Sequence, residues 1–349
     1  MRKPYVTALI DTYNHERFIA EAVESVLAQD FPASEMEILV VDDGSTDRTS
    51  EIIRGFGDRV RLIRKENAGQ ASSMNAGFAE AQGEVVAMLD GDDVWLPHKI
   101  RRVAEEFERS PGTVVVYHPH DAWVHGSTLV VQDHSFFPVH GRMPLEGEEL
   151  LRYGSYGTSE ISLRKSLAAT MFPIPERIRI YADSYLVLLA VFAGDVFGIP
   201  EALTRYRCHE DNLAAFTAPD KVRSKRRWEC FAAAVAESKG WLEAHGFDLR
   251  RHDILVHVRR NELVEEMLRY LYLPPARAEY LRHLLDFHRL YQPLWTRRYR
   301  VYHYLLALVA FCAGYPRFME LRTRYRGAGR TVRFREGLFP VRREEATVP

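Results

Sequence analysis

Short apolar runs alternate with amphipathic stretches through the first 120 residues of the chain. Runs at Val6–Ile10, Glu37–Val41, Val60–Ile63, Glu84–Leu89 and Thr113–His118 predict strands. Between the first two, Phe18, Ile19, Ala22, Val23, Val26 and Leu27 recur at helical spacing, with Glu21, Glu24 and Ser25 on the other face. Ser45-Thr46-Asp47 is an N-cap signal ahead of a helix over Thr49–Phe56. Gln70–Ala81 predicts a third helix, ended by Gly83. Pro97 opens a fourth that runs through Phe107 to the stop at Ser110-Pro111-Gly112. Apolar strands each followed by a helix imply an α/β fold with a mostly parallel sheet covered on both faces. Ligands of such sheets sit beyond the carboxyl ends of the strands, so chemistry is expected there.

The pattern loosens between residues 120 and 215, where Gly154, Gly157, Pro173, Pro175 and Pro200 interrupt it and one strong helix is predicted at Asp183–Ala193. Beyond residue 220 the chain is mostly helical, over Lys225–His245, Asp253–Tyr272, Ala276–Tyr291 and Tyr299–Ala313. The 349 residues are 46% apolar and 27% charged, as in a globular protein with a sizeable core and unlike a disordered chain. The three cysteines, Cys208, Cys230 and Cys312, lie far apart, which points to a reducing, cytoplasmic setting and no disulfide framework. The longest apolar run, Tyr302–Tyr315, has 14 residues, short of the ~20 that span a bilayer. Charge divides unevenly: 21 Lys and Arg against 33 Asp and Glu over residues 1–216, then 26 against 15 over 217–349. That asymmetry suggests two modules facing different partners, or two halves that attract each other.

Two predicted strands end in clustered acids. Glu37–Val41 runs into Asp42-Asp43-Gly44-Ser45, and Val85–Leu89 runs into Asp90-Gly91-Asp92-Asp93. In a parallel sheet these five carboxylates gather at one edge, with Asp11 ending the first strand nearby. Like charges that close need a cation or several donors to compensate them. A divalent cation, Mg²⁺ or Mn²⁺, with oxygen ligands supplies that, using one or two carboxylates and substrate phosphates. The alternative is a pair of Asp-rich turns capping the helices that follow; two such sites in tandem favour the cation.

Asp11-Thr12-Tyr13-Asn14, Ser25-Val26-Leu27-Ala28-Gln29, Val40-Val41-Asp42-Asp43-Gly44-Ser45-Thr46-Asp47, Asn67-Ala68-Gly69-Gln70, Asn75-Ala76-Gly77, Gly83-Glu84 and Leu89-Asp90-Gly91-Asp92-Asp93-Val94-Trp95-Leu96-Pro97 follow one another in order. Over roughly residues 4–215 the chain resembles family 2 inverting glycosyltransferases of the GT-A fold. The resemblance implies a GT-A domain at 1–215, with a donor half at 1–118 and an acceptor half at 119–215. Residues 216–349 form a mainly helical, basic C-terminal region. It also implies a hexosyltransferase-like enzyme that uses a nucleotide-diphosphate sugar donor. Thr12 and Tyr13 match the first nucleotide-contacting segment, where an aromatic ring stacks on the base. Asp43 matches a carboxylate that accepts from the base, Asn75 falls among the donor-binding segments, and Asp90-Gly91-Asp92 matches the Asp-x-Asp element. In that element Asp92 is the metal ligand, Asp90 reaches the ribose or the metal shell, and Gly91 leaves room for the donor. The chain departs from the family pattern with Asp11 in place of Pro and Met74 in place of Arg.

An inverting transfer also needs a base for the acceptor hydroxyl. The resemblance places it in a Glu-Asp-like pair, here Ala182-Asp183, so Asp183 is the candidate base; the same residue could cap the helix that follows. Tyr206-Arg207-Cys208-His209-Glu210-Asp211-Asn212-Leu213 resembles the family's Tyr-Arg-x-His segment, with Arg207 toward phosphate and His209 toward pyrophosphate or metal. His118, His120, His125, His134 and His140 fit no zinc spacing and are expected in the acceptor site or on the surface. Residues 297–326 set an apolar stretch between arginines, which suits a peripheral contact with the inner membrane face or a core helix with a basic rim. Residues 317–343 hold nine Arg but no recognition motif, so no nucleic-acid partner is expected. The acceptor is expected to be a glycan, lipid-linked or other hydroxyl, in polysaccharide, lipid-linked oligosaccharide or other glycoconjugate synthesis. A catalytically weak nucleotide-sugar-binding module, whose basic half mediates partner or membrane contact, is the alternative that Ala182 and Met74 favour.

Overall fold

The computed structural model describes residues 4–124, 130–132, 138–145, 149, 153–154, 156–209, 212, 221–295, 297–315 and 317–318. The chain divides into two compact units, Met1–Asp220 with Glu229–Leu255, and Lys221–Trp228 with Val256–Pro349.

The first unit is built on strands β1 (Val6–Thr12), β2 (Met36–Asp42), β3 (Arg61–Arg64) and β4 (Val85–Asp90), in the order β3-β2-β1-β4 and all parallel. Helices α1 (Ile19–Leu27), α2 (Thr49–Arg54) and α3 (Gln70–Glu80) connect them. Strand β5 (Val94–Trp95) and helix α4 (Lys99–Arg109) lead to β6 (Thr113–Tyr117). Strands β1, β4 and β6 are buried on both faces, as their unbroken apolar runs require, whereas the edge strand β3 is only half-buried. Their core joins Val6, Ala8, Ile10, Val40, Val85 and Leu89 to Ile19, Val23 and Val26 of α1 and to Ile100, Val103 and Phe107 of α4.

The sheet is mostly parallel but has eight strands. β10 (Ile161–Arg164) runs antiparallel between β4 and β6. Past β6 lie β11 (Asp195–Gly198), parallel to it, and β9 (His140–Gly141). A second sheet orders β5, β12 (Thr204–Cys208), β7 (His120–Val124) and β8 (Val130–Gln132). Helices α5 (Lys165–Ala168) and α6 (Ala182–Ala193) follow β10. The antiparallel β10 was not foreseen, because four residues carry no periodicity that distinguishes strand from loop.

Long helices follow: α7 (Lys221–Ala244), α8 (His252–Tyr272), α9 (Arg277–Tyr291) and α10 (Arg297–Ala313). In the second unit Tyr270, Tyr280 and Leu284 pack with Ala307, Ala310, Tyr315 and Phe318 in a small core. Among the described residues no helix is long and apolar enough to cross a membrane. Of the nine arginines over 317–343 only Arg317 lies among the described residues, and His125 and His134 also lie outside them.

Candidate active site

The register of the parallel strands determines where the acids emerge. Thr12 at the end of β1 pairs with Asp42, and Asp11 pairs with Asp90. One step further, the Asp43 N–H donates to the Thr12 carbonyl and the Gly91 N–H to that of Asp11, both at 2.9 Å. The two acidic loops therefore leave the same sheet edge, one on each side of β1.

Five free carboxylates were expected at this edge, and two of them are consumed internally. Asp42 is fully buried and accepts from Ser45 N–H at 2.9 Å and from the Ser50 hydroxyl. Asp93, also buried, accepts from Ser159 Oγ at 2.6 Å and from Arg207 N–H at 2.8 Å. Asp90, Asp92 and Asp93 present carboxylate oxygens that all lie within 4.8 Å of one another. Asp92 Oδ2 accepts from His209 Nε2 at 3.0 Å and lies 3.7 Å from His15 Nε2. Burial works to raise the Asp92 pKa, but the His209 hydrogen bond and the nearby His15 hold it below the usual carboxylate value. Asp90 moves the opposite way, raised by burial and by the neighbouring Asp11 and Asp92. Asp11 rises to about 7, by burial against a hydrogen bond with Asp90 and by repulsion from Asp92 and Asp183. Carboxylates this close and partly buried either hold protons or face a cation, and an oxygen-rich set centred on Asp90 and Asp92 suits a hard divalent ion.

Asp183 lies in the first turn of α6, not at its N-cap, which is Tyr181 in a left-handed conformation with φ 70°. Its Oδ1 accepts from its neighbour, the Ser184 N–H, at 2.6 Å. Burial pushes its pKa to about 6, with a further rise from Glu160. The loop before α3 ties this helix to Asp43. Asp43 accepts from Ala68 and Gly69 N–H at 3.0 and 2.7 Å, and the Gln70 N–H donates to the Arg179 carbonyl at 2.8 Å. Gln70 Oε1 in turn accepts from Ala182 N–H at 3.1 Å. A Cβ on Gly69 would lie 2.6 Å from the Arg179 oxygen, so this close passage requires glycine.

The remaining expected residues divide into two groups. Tyr13 is 43% exposed beside the buried Thr12, so its ring is available to stack. Asn14 adopts φ 56° and accepts from Thr46 N–H at 2.8 Å, joining the β1 and β2 loops. Asp43 also takes the Lys65 ammonium, yet a carboxylate has about four lone-pair sites, so one stays open. Three others hold the framework. Asn75 exchanges hydrogen bonds with the Ile174 backbone at 2.8 and 2.7 Å. Gly91 is dictated by its neighbours, because a Cβ there would lie 2.5 Å from Thr12 Oγ1. Arg207 is fully buried, donates to the Asp92 carbonyl at 2.7 Å and to Glu21, and stacks on Trp123 at 4.2 Å.

Sequence reasoning missed His15, Ser159 and Asn212. His15 shares a hydrogen bond with Thr12 Oγ1 at 3.2 Å, and its position three residues after Thr12 was the available signal. Asn212 Oδ1 accepts from His209 N–H at 2.6 Å, and its place within the segment that opens on Tyr206-Arg207 was a signal of the same kind. Ser159 bridges Asp93 and the Asp90 N–H from far along the chain, which no local pattern announces. His118 is core, not surface, because it directly follows the buried strand β6.

Residues 7–146 match the family described as Glycosyl transferase family 2. An uncharacterized glycosyltransferase of Nostoc sp. is 34% identical over 235 residues, which cover 63% of this chain and 70% of that protein. An uncharacterized Mycobacterium tuberculosis protein is 27% identical over 231 residues, 62% of each chain. The fold is shared with TarS of S. aureus, solved with UDP-GlcNAc, at TM-score 0.58 and 19% identity over 92% of this chain and 91% of that one. The chain belongs to glycosyl transferase family 2.

Proposed function

We propose that the protein is an inverting, cation-dependent glycosyltransferase that moves a sugar from a nucleoside-diphosphate donor to an acceptor hydroxyl. The observation that carries this reading is geometric: the acidic loops after β2 and β4 leave one sheet edge on either side of β1, and the loop before α3 hydrogen-bonds both Asp43 and the start of the helix that carries Asp183. In this reading Asp183 serves as the base beside Asp90, Asp92 and Asp93, a group suited to binding a diphosphate through a cation. Tyr13 and Thr12 would hold the base and Asp43 would accept from it. Asp90 and Asp92 would hold the ion, with His209 and His15 fixing the orientation of Asp92. A bound divalent cation supplies positive charge against the departing diphosphate.

Asp183 takes the acceptor proton as the acceptor oxygen forms its bond to the anomeric carbon. The bond to the diphosphate oxygen breaks and its electron pair leaves on the nucleotide. A carboxylate with a pKa of about 6 is a stronger base than an ordinary aspartate and is still ionised at neutral pH. Arg207, Asn75 and Ser159 act by holding the backbone and acids in place. The TarS likeness makes a UDP-sugar the first donor to try, with a glycan or lipid-linked hydroxyl as acceptor. The test is incubation with UDP-sugars and Mn²⁺, following nucleotide release and reading the anomeric configuration of the product by NMR. Release of UDP with inversion supports the reading. A product that retains configuration, or no turnover with any donor, defeats it.

A further inference from the structure

Helix α10 is apolar on both sides, and among the described residues only one side is covered. His303, Ala307 and Ala310 are buried in the second unit. On the opposite stripe Val301, Leu305 and Leu308 are 54–57% exposed, at helical spacing that continues to the exposed Cys312. Val309, 49% exposed, widens the face. Isolated exposed leucines are ordinary, but a continuous apolar stripe marks a contact surface. Its charge identifies the partner. Arg297, Arg298 and Arg300 are exposed at the start of the helix and Arg317 just beyond its end. From residue 287 to 319 the chain has five Arg and no Asp or Glu.

We infer that this face docks on a membrane surface bearing anionic headgroups, with the leucines in the interface and the arginines on the lipid phosphates. A second copy of the chain is the weaker occupant, since its α10 would bring the same arginines and no carboxylate to meet them. The helix is too short to insert across the bilayer, so it lies along the surface.

The test is sedimentation of the full chain with two kinds of vesicle, phosphatidylcholine alone and phosphatidylcholine mixed in equal parts with phosphatidylglycerol. Binding is expected only to the mixed vesicles and should weaken as salt is raised. Replacing the three exposed arginines together (R297Q/R298Q/R300Q) should weaken it roughly a hundredfold, at about 1 kcal/mol per basic side chain. Leu305→Gln with Leu308→Gln should weaken it about tenfold or more. All of these positions are exposed, so thermal melting and UDP binding should stay as in the parent, which separates this inference from the donor-site reading. Failure to bind anionic vesicles, or binding that neither variant weakens, overturns it. So does a dimer in sedimentation velocity that becomes monomeric with Leu305→Gln and Leu308→Gln, because the face then meets a second copy.

Discussion

Replacing Asp183 with Asn separates a catalytic role from a structural one, because the two predict opposite effects on stability. The Asp183 pKa rises to about 6 from 3.8, chiefly by burial. Folding therefore favours its protonated form, and ionising it costs the folded state. The cost is absent below pH 4, grows as pH rises towards 6, and is complete above that. A shift of about two units corresponds to roughly 2–3 kcal/mol at neutral pH. Asparagine keeps an oxygen for the Ser184 N–H and carries no charge, so D183N should be more stable than the parent at pH 7 and equal to it at pH 4. Turnover should fall by ~10²–10⁴, the usual worth of a general base. The parent's kcat should rise about tenfold between pH 5 and a plateau above pH 7, following ionisation of the carboxyl. Chemical denaturation at both pH values, with steady-state rates alongside, checks both effects. A D183N protein that is less stable at pH 7, or that keeps parental turnover, refutes the assignment.

Other substitutions test the separation between donor contacts and framework. Asn75→Ala should cost about 1–3 kcal/mol of stability through its two lost backbone partners while KM for the donor changes little; calorimetric melting with donor kinetics decides it. Tyr13→Ala should weaken nucleotide binding by roughly 5- to 150-fold, from ~1–3 kcal/mol of lost base stacking, with no loss of melting temperature because the ring is exposed. Gly91→Ala should destabilise by ~1–3 kcal/mol, because its Cβ would collide with Thr12, and thermal melting reads this directly.

Where the acids emerge was legible in the sequence because an apolar run followed by Asp residues defines both the strand and its end. Neighbouring acids still could not be told apart by pattern. Asp42 and Asp43 are adjacent, yet Asp42 turns inward onto Ser45 and Ser50 while Asp43 holds the Ala68–Gly69 loop. The same holds for Asp92 and Asp93, whose difference depends on Ser159 and Arg207, residues brought in by β10 and β12. Asn75 has the residue type of a ligand contact but is occupied by Ile174, 99 positions away. Helix α10 was readable as a helix, whereas its open face was not, since an all-round apolar sequence looks the same whether one side or both are covered.

The central claim is that the acids leaving β2 and β4 on either side of β1 serve one nucleotide and one cation. Calorimetric titration of UDP, with and without Mn²⁺, into the parent and into Asp92→Ala tests it most directly. The account expects Mn²⁺ to tighten UDP binding to the parent by tenfold or more, and Asp92→Ala to abolish that gain while weak metal-free binding persists. Equal UDP affinity with and without Mn²⁺ in the parent, or an undiminished Mn²⁺ gain in Asp92→Ala, would contradict it.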